Sequence, residues 1–239
     1  MDMVGWLAEE ERQGRRTVLE RTGLAGLTVL RAGVPLPPKL RERTVLRRVE
    51  KAAGLLARAG VRRVLTRQDF PHWDVLSAYG LRPVDLEPLC QALAAPLALA
   101  ALERQGIAPS VGTVALSGRR VSRPLFQAAM ALCPQVRTLV IDAPDGGAEL
   151  AGELRREYGA AALTALDGSA AQVLLSFSPG EGRGLRLWGP APDLDGLTLV
   201  PPLDLPGELA PLPLLAVLWE EGRIPAKEIR VVPEDFGRN

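Results

Sequence analysis

Between residues 110 and 178, short apolar runs alternate with stretches of helical periodicity, and this alternation constrains the fold more than any other feature. The apolar runs lack a regular alternation of polar and apolar residues and fall at 111–116, 136–141, 161–166 and 172–177. Strands of this kind, separated by helices of about 12 residues, are typical of parallel sheets covered by helices on both faces. The sequence therefore predicts an α/β fold with three layers and a mostly parallel sheet.

The predicted helices have recognisable ends. One spans 122–132, with Ser122 placed to cap its first turn, and the next spans 147–158 and is followed by Gly159. Upstream, the spacing of apolar residues predicts helices at 41–59 and 86–105. It also predicts short strands at 61–65 and 81–84. Pro96 should kink or split the second of these helices, because proline removes a helical hydrogen bond.

The N-terminal residues predict a small antiparallel β-meander, with strands at 6–11 and 15–21 around a turn at Gln13-Gly14. A third strand follows at 27–30. The hairpin would place acidic side chains opposite basic ones. These are Glu9, Glu10, Glu11, Arg15, Arg16 and Arg21. A first helix over 4–12 is the alternative.

Prolines divide the chain into three predicted parts. The meander occupies 1–34, and three prolines within 34–38 form an extended connector that ends it. A Rossmann-like α/β core is predicted over 39–178. The remaining segment, 179–239, is rich in proline and glycine and contains a last apolar helix at 211–219. We expect this segment to pack on the core.

The bulk properties of the chain exclude several classes of protein. The formal charge is +1 over 239 residues, so the chain as a whole has no attraction to nucleic acid or an anionic membrane. Its longest apolar runs are about a dozen residues and contain proline, whereas a membrane-spanning helix needs about 20. The first residues turn acidic quickly, unlike a signal peptide, so we expect a cytoplasmic protein. Cys90 and Cys133 lie far apart, which predicts buried reduced thiols.

Two loops that follow predicted strands are the best candidates for a binding site. The first carries hydroxyls, a glycine and guanidinium groups. These residues are Ser117, Gly118, Arg119, Arg120 and Ser122. The loop leaves the carboxyl end of a strand and enters a helix, where anions are attracted to free N–H groups and the helix dipole. An ordinary strand–helix turn with solvated arginines is the alternative.

The second loop begins at Asp142 and also contains Asp145, Gly146 and Gly147. An acid at the end of the corresponding strand accepts the ribose hydroxyls in dinucleotide-binding folds. The paired glycines would let a ligand approach the backbone closely. In the alternative interpretation, Asp145 caps the helix and the glycines only form the turn. The two loops lie side by side if the strands that precede them are neighbours.

This arrangement resembles the general layout of Rossmann-like sheets over 110–178. The resemblance implies a nucleotide or another small phosphorylated molecule as the ligand. However, the loop 117–122 is neither a GxGxxG motif nor a Walker loop. A standard dinucleotide enzyme is therefore not expected, and the sequence does not define a cofactor.

Two further features carry weaker hypotheses. The segment 39–67 holds ten basic and two acidic residues, but it has no aromatic residue for base stacking, so nucleic acid is a disfavoured partner. His72 is the only histidine. Asp69 or Asp74 could orient it as a general base, although a turn or surface role is commoner for such a residue. A single histidine also predicts no metal site, and we expect no catalytic residues.

The sequence favours a non-catalytic structural or interaction module with a Rossmann-like core and a protein partner. The reason is that a complete phosphate loop and a nucleophile constellation are both missing. The alternative is a protein that binds a nucleotide or other small anionic ligand at the loops 117–122 and 142–147. Nucleic-acid binding through 39–67 is a weaker alternative.

Overall fold

The computed structural model describes residues 3–164, 171–180 and 184–234. Its strands are β1 (Val4–Glu10), β2 (Val18–Leu24), β3 (Leu27–Pro35), β4 (Arg63–Leu65), β5 (Arg82–Pro83), β6 (Thr113–Ser117), β7 (Thr138–Asp142), β8 (Ala162–Thr164), β9 (Val173–Ser176), β10 (Leu185–Arg186), β11 (Leu197–Val200) and β12 (Arg230–Pro233). Its helices are α1 (Glu42–Arg58), α2 (Trp73–Ala78), α3 (Glu87–Ala92), α4 (Ala94–Arg104), α5 (Arg123–Leu132), α6 (Gly147–Tyr158) and α7 (Pro211–Glu220). The last two residues of the strand predicted at 161–166 lie outside the described residues.

The described residues form two compact units, each containing a five-stranded sheet. The first unit takes residues up to 85 together with 203–224, and the second takes 86–202 together with the residues from 225 onward. The predicted fold class is confirmed, since both sheets are mostly parallel and an antiparallel hairpin lies near the N-terminus. The single sheet expected over 39–178 is instead divided, because β4 and β5 pair within the first sheet and β6 to β9 within the second.

The first sheet has the order β2-β3-β1-β4-β5, and β2 is the strand that runs antiparallel to its neighbour. The central position of β1 follows from residues 4–8, which are all buried. A run without polar alternation suits a strand that is covered on both faces. On one face, Leu7 and Ala32 share an apolar core with Val49 and Leu56 of α1.

The N-terminal hairpin joins β2 to β3. Its two-residue turn is Ala25-Gly26, and both residues have positive φ, 47° and 82°, as a type I′ turn requires. The predicted hairpin of 6–11 with 15–21 is wrong, because β1 pairs in parallel with β3 on one side and β4 on the other. The alternative of a helix over 4–12 is also wrong, since most of this segment is β1.

The second sheet is parallel throughout and has the order β10-β9-β6-β7-β8. Numbered by their position along the chain and read from β8, the strands follow the 3-2-1-4-5 order of dinucleotide-binding sheets. The strand order reverses between β6 and β9. Ligands of such sheets bind outside the carboxyl ends of the strands at this switch point, so the topology singles out the loops after β6 and β9.

Several helix ends follow the sequence predictions. The Ser122 hydroxyl accepts a hydrogen bond from Leu125 N at 3.4 Å and caps α5, and α6 ends at Gly159, which has a positive φ of 60°. The long helix predicted over 86–105 is split at Leu93 into α3 and α4. Pro96 lies in the first turn of α4, where its missing N–H costs no hydrogen bond. Within the described ranges, no helix is long and apolar enough to cross a bilayer.

Candidate functional site

The two loops singled out in the sequence lie side by side in the second unit. Ser117 at the end of β6 is in register with Asp142 at the end of β7. The pairing continues beyond both strands, because Gly118 N donates to Asp142 O at 3.0 Å and Val121 N donates to Asp145 O at 2.9 Å. The edge of the sheet therefore brings together the loop residues 117–122 and 142–147.

Three polar side chains form hydrogen bonds at the carboxyl edge of the sheet. The Ser117 hydroxyl donates to Asp142 Oδ2 at 3.3 Å, and both residues are half-buried. Ser178, which follows β9, accepts a hydrogen bond from Arg119 N at 2.9 Å. The sequence analysis missed Ser178, because only the position of β9 beside β6 brings this loop to the switch point.

Close packing and backbone conformation within the chain favour glycine at these loop positions. A Cβ on Gly118 would lie 3.1 Å from Leu125 Cδ1 and 3.3 Å from Arg120 O. A Cβ on Gly147 would lie 3.3 Å from both Ala143 Cβ and Ile141 O. Gly146 precedes α6 with a φ of 84°, a left-handed conformation that favours glycine. The local fold is thus sufficient to explain these glycines.

The backbone donors that would cradle a pyrophosphate are largely engaged within the chain. Gly118, Arg119 and Val121 donate as described, and Ser122 engages the amide of Leu125. Pro124, at the start of α5, has no N–H. Pyrophosphate binding in Rossmann-like folds depends on free N–H groups at this position. Any ligand at this edge must therefore be recognised mainly by side chains.

Charged side chains are available for such recognition. Arg119, Arg120 and Arg123 are all exposed, and Asp145 is exposed beside the half-buried Asp142. None of the three arginines forms an ion pair with a described residue. The edge therefore combines guanidinium groups that suit phosphate with a carboxylate that accepts hydroxyl groups.

A second concave site, which the sequence analysis missed, lies in the first unit. We call this feature the cleft; its volume is about 470 Å³. Its lining residues are Trp6, Leu7, Ala8, Glu9, Glu10, Glu11, Leu36, Arg67, Gly207 and Glu208. It lies at the carboxyl end of β1, since Leu36 follows β3 and Arg67 follows β4.

The acidic side chains at the end of β1 line the cleft, and two of them form ion pairs with arginines. Arg67 Nε lies 2.6 Å from Glu9 Oε2, and Arg31 Nη2 lies 2.6 Å from Glu10 Oε1. Glu10 also pairs with Arg12. The predicted pairing of these glutamates with Arg15, Arg16 and Arg21 is wrong, because no hairpin joins β1 to β2.

Glu10 and Arg31 join several members of this charge network, since Glu10 pairs with Arg12 and Arg31, and Arg31 pairs with Glu10 and Glu20. Burial acts to raise the pKa of Glu10, but hydrogen bonds from Arg12 and Arg31 outweigh it and hold the pKa below its ordinary value. Burial acts to lower the pKa of Arg31, but hydrogen bonds to Glu10 and Glu20 raise it. The Arg31 guanidinium also lies 5.0 Å from the centre of the Trp6 ring. Glu10 is therefore a persistent negative charge.

His72 and the basic segment 39–67 are the two weaker candidates from the sequence. The His72 ring lies edge-on to Phe70, with ring centroids 5.7 Å apart, and no hydrogen bond joins it to Asp69 or Asp74 in the described part of the chain. The cations of 39–67 are mostly exposed along α1 and the segments next to it. Among residues 3–164, 171–180 and 184–234, no group of three or more His, Cys, Asp or Glu side chains could hold a metal ion.

Comparison with known proteins gives structural neighbours only. No family model and no curated protein sequence matches the chain. Among solved structures, the chain is similar to L-tryptophan dehydrogenase from Nostoc punctiforme, at 15% identity and a TM-score of 0.32 over 73% of this chain and 56% of that one. It is also similar to ornithine carbamoyltransferase from Pyrococcus furiosus, at 19% identity and a TM-score of 0.25 over 73% and 59%. The chain thus spans less than two thirds of the length of either neighbour.

Proposed function

We propose that the second unit binds a small hydroxylated anion, such as a nucleoside monophosphate or a sugar phosphate, at the loops 117–122 and 142–147. One observation carries the proposal. The half-buried carboxylate of Asp142 stands beside the Ser117 hydroxyl at the carboxyl edge of a 3-2-1-4-5 sheet. A carboxylate at this position accepts hydroxyl groups of a ribose-like ligand.

Different residues at this edge would contact different parts of the ligand. Asp142 accepts ligand hydroxyls, and Ser117 holds the carboxylate in place. Arg119 and Arg120 contact the phosphate through their side chains, while the glycines and Ser122 shape the loops. Because the backbone donors are already engaged, a single phosphate held by guanidinium groups suits the edge better than a pyrophosphate. Catalysis forms no part of this proposal.

The test is a thermal-shift titration of the full chain with AMP, ribose 5-phosphate and inorganic phosphate. A ligand present at 100 times its Kd adds about 2.7 kcal/mol of stability. For a chain of this length that corresponds to a Tm increase of roughly 5–10 °C. We expect AMP or ribose 5-phosphate to raise the Tm more than phosphate does.

Matched variants separate a site from general charge effects. Asp142→Asn should weaken AMP binding at least about tenfold, since a hydrogen bond to a charged group contributes about 1.5–3 kcal/mol. Glu153→Gln removes one charge from the exposed face of α6 and should change nothing. No Tm shift with any of these compounds up to millimolar concentration, or equal effects of both variants, would contradict the proposal.

A second candidate function is a non-catalytic interaction module, and the engaged loop donors favour it. The loops 117–122 and 142–147 are bonded to one another and need no ligand to complete them. In that case Arg119 and Arg120 are free to contact an acidic protein surface. Sedimentation across a range of concentrations tests self-association. A complex weakened by Arg119→Gln/Arg120→Gln but not by Arg155→Gln/Arg156→Gln, together with no Tm shift, would support this function instead.

A further inference from the structure

We propose that the cleft at the carboxyl end of β1 is a second ligand site, and that its ligand is a small organic cation carrying primary ammonium groups. A volume of about 470 Å³ lies within the range of small-molecule sites. This site belongs to the first unit and is independent of the function proposed for the second.

The topology of the first sheet places the cleft where an open sheet binds ligands. From β1 the chain runs to β2 and β3 on one side, whereas from β4 it runs through α2 to β5 on the other. The connections that leave these neighbouring strands therefore diverge and open a crevice at their carboxyl ends. Glu9 and Arg67 stand on its two sides.

The lining of the cleft has an excess of negative charge. Its ionisable side chains are Glu9, Glu10, Glu11, Glu208 and Arg67. Glu9 pairs with Arg67, and Glu10 pairs with Arg12 and Arg31, so the excess comes from Glu11 and Glu208. Glu11 and Glu208 are exposed, and neither forms an ion pair with any residue that the structure describes. A ligand that neutralises this surface must be positively charged. Inorganic and organic cations both meet that condition, and the geometry of the acidic groups decides between them.

The arrangement of the cleft favours an organic cation over a metal ion. A divalent ion needs several oxygen ligands converging on one point. Among the described residues, no cluster of three or more His, Cys, Asp or Glu side chains could hold such an ion. The lining also includes apolar surface from Trp6, Ala8 and Leu36. A methylene chain can cover apolar surface while its ammonium ends reach carboxylates. These two properties are those of a diamine or polyamine.

Arg67 places a cationic group of the chain itself beside Glu9. Arg67 Nε lies 2.6 Å from Glu9 Oε2, while the Arg67 side chain remains 51% exposed and that of Glu9 is 20% exposed. The guanidinium thus occupies the position that we assign to the ammonium group of the ligand. A ligand must compete with Arg67 for Glu9, so removal of the arginine should tighten binding rather than weaken it.

The test is isothermal titration of the full chain with spermidine and with 1,4-diaminobutane at low ionic strength. Relative to the parent chain, Glu9→Gln should weaken binding about tenfold, because a charged hydrogen bond is lost. Arg67→Gln should tighten it roughly two- to fivefold, since exposed ion pairs are weak. Arg62→Gln, an exposed arginine that does not line the cleft, is the matched control and should change affinity little.

Glu9→Gln and Arg67→Gln are expected to change the affinity in opposite directions, which distinguishes binding in the cleft from a general effect of charge. If Arg62→Gln tightens binding as much as Arg67→Gln, the amines respond only to net charge and the site is refuted. The site is also refuted if MgCl2 at equal ionic strength competes as well as an amine, or if no heat of binding is seen. Glu9→Gln and Arg67→Gln alter partly exposed side chains, and thermal unfolding of each variant verifies that the first unit remains folded.

Discussion

Gly33 provides a sharp test of the charge network around β1. It lies in β3, opposite Ala8 on one side and Val18 on the other. A Cβ at this position would stand 2.6 Å from Glu10 Oε1, a distance that the two atoms cannot adopt. The carboxylate is the end of a flexible side chain, so in Gly33→Ala we expect Glu10 to swing away while β3 stays in place.

The expected free energy follows from two opposing effects. Glu10 loses its 2.6 Å hydrogen bond from Arg31, and both side chains are only about one fifth exposed, at 18% and 20%. The loss of such a bond costs about 1.5–3 kcal/mol. Alanine in place of glycine in a strand contributes about 0.5–1 kcal/mol in the favourable direction. Gly33→Ala should therefore destabilise the first unit by about 0.5–2.5 kcal/mol.

In a Glu10→Ala background, the expected effect of Gly33→Ala on stability has the opposite sign. In Glu10→Ala the carboxylate is absent, so Gly33→Ala should stabilise the unit by about 0.5–1 kcal/mol. Gly23→Ala is the matched control, because Gly23 lies in β2 with no atom within 4 Å of an added Cβ. It should stabilise both backgrounds equally.

Urea unfolding followed by tryptophan fluorescence measures these four differences. Trp6, Trp73 and Trp219 belong to the first unit, so their signal reports mainly on it. A chain with two compact units need not unfold in one step, and the transition of the first unit is fitted separately. If Gly33→Ala has the same sign in both backgrounds, the placement of the Glu10 carboxylate over Gly33 is refuted.

Four further substitutions have defined outcomes. The pKa of Glu10 is held below its ordinary value in the folded state. Its stabilising contribution is therefore complete above about pH 4.5 and is lost as the pH falls further. In Glu10→Gln, the unfolding free energy should fall less than in the parent chain when the pH is lowered from about 5 to about 3. Ser122→Ala should cost about 0.5–1 kcal/mol through loss of the α5 cap, measured by urea unfolding of the second unit. Gly146→Ala should cost about 1–2 kcal/mol because of its φ of 84°, whereas Gly152→Ala within α6 should raise stability by up to about 1 kcal/mol in the same assay.

Local patterns were sufficient to predict most elements of the second unit. The apolar runs at β6, β7 and β9 are continuous, and Ser122 and Gly159 mark helix ends by their side chain and backbone chemistry. Such signals act within a few residues. They also placed Asp142 at the end of a strand, which is half of the candidate site.

Pairing between distant strands could not be predicted in the same way. A hairpin could form around Gln13-Gly14 or around Ala25-Gly26. The second hairpin forms because β1 is buried on both faces and pairs in parallel with β3. The position of Ser178 depends on β9 lying beside β6, and the cleft depends on β4 lying beside β1. These pairings join segments about 60 residues apart, and they are set by tertiary packing.

The discontinuous division of the chain also dictates when the first unit can fold during synthesis. Its strands are complete at residue 85, but Ala210 N bonds to Thr66 O and Glu220 of α7 pairs with Arg63, 157 residues away. At typical translation rates, α7 leaves the ribosome roughly 6–25 s after β5. Until then, the first unit lacks α7, whose apolar residues 214–218 are buried in the folded chain. Folding of the first unit is therefore expected to be completed only after residues 203–224 have been synthesised, and chaperone protection matters most in that interval.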